Sequence, residues 1–309
     1  MSAAAYGKPS RVRAARWRDA GLGYALSLPA LLWILTITLY PIVYNLWLSV
    51  HETGPLLQAP TFAGLRHYSA ILKEAEFWKS LERTVIWTVG SLSATLLPGL
   101  GLALLLNQDF PGARLIRTWI LLPWMFPIVV VAMIWVWLLE PTVGVANYAL
   151  RIAGLTSQPV VFLSVDWAMV TVILTNAWRW IPFVAVNVLA ALMNVPRELE
   201  DAAKVDGAGY WQRFRFVALP EILPAIGVLS LVLLMWFFNM FPLIWLITRG
   251  GPADATTILP VAIYKTGFEL FLWGPSAALG VILFLFVAAM TGVYLTIIAR
   301  YRIGAGGQW

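Results

Sequence analysis

The residues best placed to do chemistry lie in a polar stretch from Pro196 to Pro220, set between two long apolar runs. Three acids fall within four positions (Glu198, Glu200, Asp201). Ala202-Ala203, Asp206-Gly207 and an aromatic-basic segment with Tyr210, Trp211, Arg213, Phe214, Arg215 and Phe216 follow. Pro196 ends the preceding apolar helix, because the residue before a proline is pushed out of the helical region, and it suits the start of a new one. The acids then occupy first turns, where the helix dipole favours carboxylates. Ala202 and Ala203 leave a patch low enough for another surface to approach. Gly207 is expected as the left-handed cap that stops the helix. A second short helix, closed by Leu219-Pro220, carries the aromatics. Such an acidic, small-residue tip on an apolar anchor describes a docking surface.

The other group of interest is Arg179, flanked by Trp178 and Trp180 inside an apolar run, with Asn176 one turn before it and Pro182 just after. A charge at mid-membrane costs roughly 2.5–3.5 kcal/mol even on translocon scales, so it faces a cavity or a partner. Its guanidinium suits sugar hydroxyls or an anionic group, and the tryptophans suit the apolar face of a pyranose. The competing role is to brace carbonyls freed by Pro182. Trp236 and Asn239 in the next run join the same candidate solute path, although asparagine in hydrocarbon is as often glue between helices. His51 and His67 are not read as a metal pair, because nothing else assembles the three or four ligands a site requires.

Composition fixes the setting of these residues. Hydrophobic residues make up 61% of the 309, charged residues 12%, and mean hydropathy is +0.80, far from a soluble domain. Six runs have the length of a bilayer span: Tyr24–Leu48, Thr84–Leu106, Thr118–Leu139, Trp167–Leu192, Ile222–Ile247 and Gly274–Ile298. The first is read as an uncleaved membrane helix, since it is too long for a signal-peptide core. The expectation is an all-α polytopic membrane protein. Residues 1–23 form a basic N-terminal segment, 24–298 the six-helix domain with its polar loop at 194–220, and 299–309 a C-terminal tail. Of the 21 Lys and Arg, thirteen fall on the side of the termini and of the polar loop, seven on the other, and Arg179 within a span. That bias places the termini in the cytoplasm and accounts for the net charge of +6 without nucleic acid. With no cysteine in the chain, disulfides and thiol chemistry are excluded.

Tryptophans such as Trp47, Trp78, Trp119, Trp124, Trp135 and Trp167 sit near span ends and are read as interfacial belts. Prolines in or beside the spans point to bent helices around a cavity. The loops at 51–83 and 140–166 are long enough for short helices, and Gly250-Gly251-Pro252 marks a turn.

The spacing Asp201-Ala202-Ala203, then Gly207, then Val217-x-Leu219-Pro220, resembles the EAA loop of ABC importer permeases. The fuller run from Val195-Pro196 through Asp206-Gly207-Ala208 to Trp211-Gln212-x-Phe214 is similar to the carbohydrate-uptake branch, the maltose and glycerol-phosphate type. Tyr40-Pro41, Phe62-x-Gly64-Leu65, Gly144-x-x-Asn147 and Thr248-x-Gly250-Gly251-Pro252 with Thr256-Thr257 also fall where that family places similar residues. Two departures stand out: Asp201 replaces the usual glutamate, and Val217-Ala218 replaces Ile-Thr. The resemblance implies a type I ABC importer permease fold in the inner membrane of a prokaryote. The chain would form half of a pore with a homologous second permease, and an outside solute-binding protein would deliver the cargo. Glu198, Asp201, Ala202, Ala203, Asp206, Gly207, Trp211 and Phe214 would couple it to a cytoplasmic ATPase dimer. ATP and magnesium would belong to that ATPase, consistent with the lack of a phosphate-loop motif in this chain. A second subunit also offers Arg179 a possible ion-pair partner. The rival readings are a stand-alone secondary transporter or channel with Arg179 in its path, and an intramembrane enzyme. Neither gives the polar loop a purpose.

Overall fold

The computed structural model describes residues 10–52, 60–108 and 110–304. The chain opens with α1 (Ser10–Ser49), whose Leu26–Ser49 stretch is apolar on all sides and almost wholly exposed. Such a helix faces lipid or another subunit. A two-residue ribbon, His51–Glu52 against Thr61–Phe62, leads into α2 (Arg66–Lys73) and α3 (Ala75–Leu106). Next come α4 (Ala113–Trp119), α5 (Leu122–Met125), α6 (Ile128–Leu138), α7 (Val145–Ile152) and α8 (Ala168–Met193). The polar loop forms α9 (Arg197–Val205) and α10 (Tyr210–Arg213), followed by a π-helical turn, Phe214–Ala218, and α11 (Leu219–Phe238). The chain closes with α12 (Pro242–Thr248), α13 (Leu259–Tyr264) and α14 (Trp273–Gly304). Among the described residues, five helices are long and apolar enough to cross a bilayer, and one bent pair makes up to six.

The helix interiors explain why these segments stack as they do. α3 lies along α8, and Gly99 sits at their crossing: a Cβ there would fall 2.5 Å from Val184 Cγ1. Small residues let backbones approach where the hydrophobic effect cannot drive association. Trp87, fully buried on α3, donates its indole N–H to the Phe237 carbonyl at 2.9 Å and ties down the end of α11. Thr84 Oγ1 accepts from the Leu259 amide at 2.9 Å and caps the start of α13. α1 packs along α14, where Asn45 reaches the Ala277 carbonyl at 3.3 Å. Replacing Gly99 with valine is expected to destabilise the chain by about 3 kcal/mol, because overpacking here meets a branched side chain. Gly101→Val, where nothing lies within 4 Å, serves as the control. The comparison is thermal unfolding in detergent.

Three boundaries correct the sequence reading. The span at Thr118–Leu139 is not one helix: Ala113–Met125 and Ile128–Leu138 meet at 90°. Phe126 is extended (φ −65°, ψ 137°) because Pro127 follows it. The span at Ile222–Ile247 ends at Phe238, and α12 starts afresh at Pro242. In the other direction it has no break at Leu219-Pro220: the helix runs from Tyr210 to Phe238, with a π turn at Phe214–Ala218 just before the proline. The second short helix is therefore the first turn of that span. Finally, α3 begins nine residues before Thr84, and Arg83 pairs with Glu76 at 2.6 Å in its polar first turns. The expected short helices in both long loops are present as α2 and α7.

The Gly250-Gly251-Pro252 turn is a knot of hydrogen bonds. Thr256 donates to the Gly251 carbonyl at 2.9 Å, and the Thr257 hydroxyl lies 3.0 Å from the Gly250 carbonyl and 2.8 Å from Asp254 Oδ1. Lys265 Nζ also meets Asp254 Oδ1, at 2.8 Å. The Lys265 hydrogen bond, then that of Thr257, holds the Asp254 carboxyl below its ordinary value. A depressed carboxyl contributes its stability in full above the unfolded pKa of about 3.9 and loses it as pH falls through the lower folded value. Asp254→Asn should therefore unfold at lower temperature than wild type at pH 7, by no more than about 1 kcal/mol since the pair is partly exposed. The gap should narrow progressively as the scan is repeated at pH values below about 4.

Candidate docking surface and solute path

α9 stands out from the membrane helices with no buried residue of its own. Pro196 occupies its N-cap position, and Glu198 and Glu200 lie in its first turn. The helix ends where the sequence places the stop. Gly207 adopts φ +79°, its N–H bonds the Lys204 carbonyl at 3.0 Å, and the Ala208 N–H bonds the Ala203 carbonyl at 2.9 Å. This reciprocal pair closes a Schellman cap. Glu198, Asp201, Ala202, Asp206 and Gly207 are exposed, and Ala203 is partly so. Lys204 reaches Asp201 Oδ1 at 2.7 Å. That hydrogen bond, followed by the Lys204 charge, holds the Asp201 carboxyl below its ordinary value, so the group is ionised at neutral pH.

The aromatic residues that follow divide into two roles. Trp211 is exposed, and its ring rests 5.3 Å from that of Phe214. Phe214 is buried in a core with Val195, Ala218 and Ile222. Leu192, from the end of α8, belongs to the same core. The segments that enter and leave α9 are thus packed together, the end of one span against the start of another, while α9 itself lies outside that core.

The second constellation lies twelve residues into α8. Arg179 is partly buried, its Nε has no partner, and its guanidinium carbon stands 5.3 Å from the Trp180 ring. No hydrogen bond joins it to the Trp178 carbonyl, which Pro182 leaves without its helical donor, so the bracing role has no contact behind it. Trp180 packs 5.2 Å from Trp236 and 5.8 Å from Phe237, both on α11. Phe183 and Trp124 complete the cluster, stacked at 5.2 Å, while Trp178 pairs with Trp135 at 5.7 Å. Trp124 and Trp135, read as belt residues, are partly buried between the helices, against Trp180 and Trp178. Their positions one to two turns either side of Pro127 were the available clue.

Of the remaining solute-path residues, Trp236 is 45% exposed and Asn239 lies open at the end of α11, its amide bonded to the Met235 carbonyl at 2.9 Å. Asn176 is different. It is wholly buried with neither amide atom bonded, so solute reaches it only if the surrounding helices part.

A helical membrane protein whose spans are interrupted by a capped, projecting helix, with the two flanking spans packed together at its base, has the build of a transporter's membrane subunit. Residues 88–303 match the family described as "Binding-protein-dependent transport system inner membrane component", and the chain belongs to that family. It is 31% identical over 288 residues, 93% of this chain and 96% of the other, to a trehalose/maltose transport system permease protein, MalF, of Thermococcus litoralis. With a sulfoquinovosyl glycerol transport system permease protein, SmoG, of Agrobacterium fabrum it shares 33% over 289 residues, 92% of this chain and 93% of the other. Among solved structures, a bacterial ABC transporter involved in the import of the acidic polysaccharide alginate superposes with a TM-score of 0.81 at 27% identity, covering 94% of this chain and 99% of that one. The type I importer permease fold implied by residues 195–220 is the fold observed.

Proposed function

We propose that this chain is one half of the translocation pore of an ATP-driven importer that carries a sugar or sugar derivative across a prokaryotic inner membrane. The termini and α9 face the cytoplasm, following the bias of Lys and Arg. A second, homologous permease completes the pore, and an outside solute-binding protein delivers the cargo. A cytoplasmic ATPase dimer, which binds ATP and magnesium, receives α9 in a groove. The observation that carries this reading is the joint core of Leu192, Val195, Phe214, Ala218 and Ile222, formed by the two segments that flank α9. It gives a docked partner a mechanical hold on two spans. Glu198, Asp201, Ala202, Ala203, Asp206 and Gly207 supply the docking tip, Trp211 its exposed flank and Phe214 its anchor.

The solute path runs past Arg179, Trp178, Trp180, Trp236 and Asn239. Asn176 supports it from within the packing. The exposed ring of Trp236 suits the apolar face of a sugar, and the unneutralised guanidinium of Arg179 suits an anionic one. The three similar proteins named above are each concerned with a saccharide or its derivative, which supports a carbohydrate cargo. A stand-alone transporter or channel would have no use for α9.

Purifying the tagged chain from its own membranes in mild detergent tests the assembly. Recovery of a second permease and a soluble ATPase is the expected result. A homogeneous preparation of this chain that moves solute into liposomes without ATP would overturn it.

A further inference from the structure

The inner corner between α9 and α10 holds an open hollow of about 320 Å³, lined in part by Ala203, Asp206, Gly207, Gln212, Arg213 and Phe216. Arg213 is partly buried, and its Nε is shut off from solvent without a hydrogen-bond partner. No acid pairs with it among the described residues: Asp201 is hydrogen-bonded to Lys204 and feels Arg213 only as a lesser charge, and neither Asp206, on the wall of the same hollow, nor Glu221 forms an ion pair. Arg215, two residues on, has the same charge but a different setting. It is exposed and lies over the Phe216 ring at 5.8 Å. A partly desolvated guanidinium at the mouth of a cavity, with a planar fork of donors, is built to receive a carboxylate.

Resting on the docking role of α9 proposed above, we infer that this hollow receives an aspartate or glutamate side chain of the ATPase subunit, which pairs with Arg213. The small walls of Ala203 and Gly207 leave room for the incoming side chain, and the Gln212 side-chain carbonyl is already used by the Gly209 amide at 2.8 Å. Arg213 is thus a specificity residue of the interface. It selects an ATPase whose groove carries an acid at this point, while the exposed charges of α9 lie on the rim.

The test compares Arg213→Glu with Arg215→Glu in the full transporter. Each makes the same change of net charge, and only the first alters the hollow. Reversing one member of a desolvated pair should lower the ATPase affinity of the membrane subunits by about thirtyfold or more, whereas a rim charge should change it less than about fivefold. Changing one acidic residue of the ATPase groove to lysine should restore binding to Arg213→Glu and weaken binding to wild type. Unaltered thermal unfolding of the Arg213→Glu chain alone would keep the loss at the interface. Retention of the ATPase by Arg213→Glu, equal loss in both variants, or rescue by no acid reversal overturns the inference. A wild-type chain that holds no ATPase at all overturns the docking role itself, and is a separate result.

Discussion

Gly207→Pro should abolish coupling while leaving the chain inserted and folded in the membrane. The residue holds φ at +79°, whereas proline fixes φ near −65° and removes the N–H that bonds the Lys204 carbonyl. The cap cannot form, and the chain leaves α9 in a new direction. The cost is about 3 kcal/mol or more, felt where the tip must match a rigid groove. In liposomes, solute-stimulated ATP hydrolysis is expected to fall by about a hundredfold, the rate equivalent of that energy. Two milder variants isolate the cause. No atom lies within 4 Å of the Cβ position at Gly207, so Gly207→Ala bears only the left-handed backbone, about 1–2 kcal/mol. Gly207→Asn, which tolerates that conformation, should keep most of the activity. Normal coupled transport by the proline variant would sink the docking assignment.

The cap could be read in the sequence because its determinants are local. Pro196, the early acids and Gly207 each act within one helical turn, and α9 begins and ends at the expected residues. The 90° break before Pro127 was less legible. The run through it is uniformly apolar, and hydropathy reports the environment of a residue but not the direction of the chain. The unbroken helix through Leu219-Pro220 ran against the usual meaning of Leu-Pro as a boundary: a π turn at Phe214–Ala218 lies just before the proline, a local change of hydrogen-bond pattern that periodicity does not report.

Contacts between distant segments were beyond reach. The indole of Trp87 bonds a carbonyl 150 residues away, and nothing in either neighbourhood announces the other. Likewise, the aromatic cluster around Trp180 draws on α5, α8 and α11. From one sequence, each tryptophan near a span end reads as a belt residue, because the bilayer is the environment common to them all. Arg179 was found because a charge in a span violates the local rule, and such violations concentrate where function lies.

Arg179→Met should separate solutes by charge. The guanidinium has no acid partner among the described residues, its Nε is unbonded, and it stands 5.3 Å from the Trp180 ring. On the proposed solute path, a cation left without neutralisation within a span would be answered by an anion that arrives with the cargo. Charge-assisted hydrogen bonds contribute about 1.5–3 kcal/mol, so uptake of a carboxylated or sulfonated sugar should fall by about 10- to 100-fold in the variant. Methionine preserves much of the length and removes the charge, and a neutral sugar of similar size should keep its rate within about threefold, the loss of a single weak contact. Recovery of the second permease and the ATPase with the variant must match wild type, since an ion pair to the second permease would show itself there first. Uptake measured for both sugars then decides between the roles. Selective loss of the anionic one makes Arg179 a solute contact. Equal loss makes it a structural strut, held by a neighbour that only the assembled pore supplies.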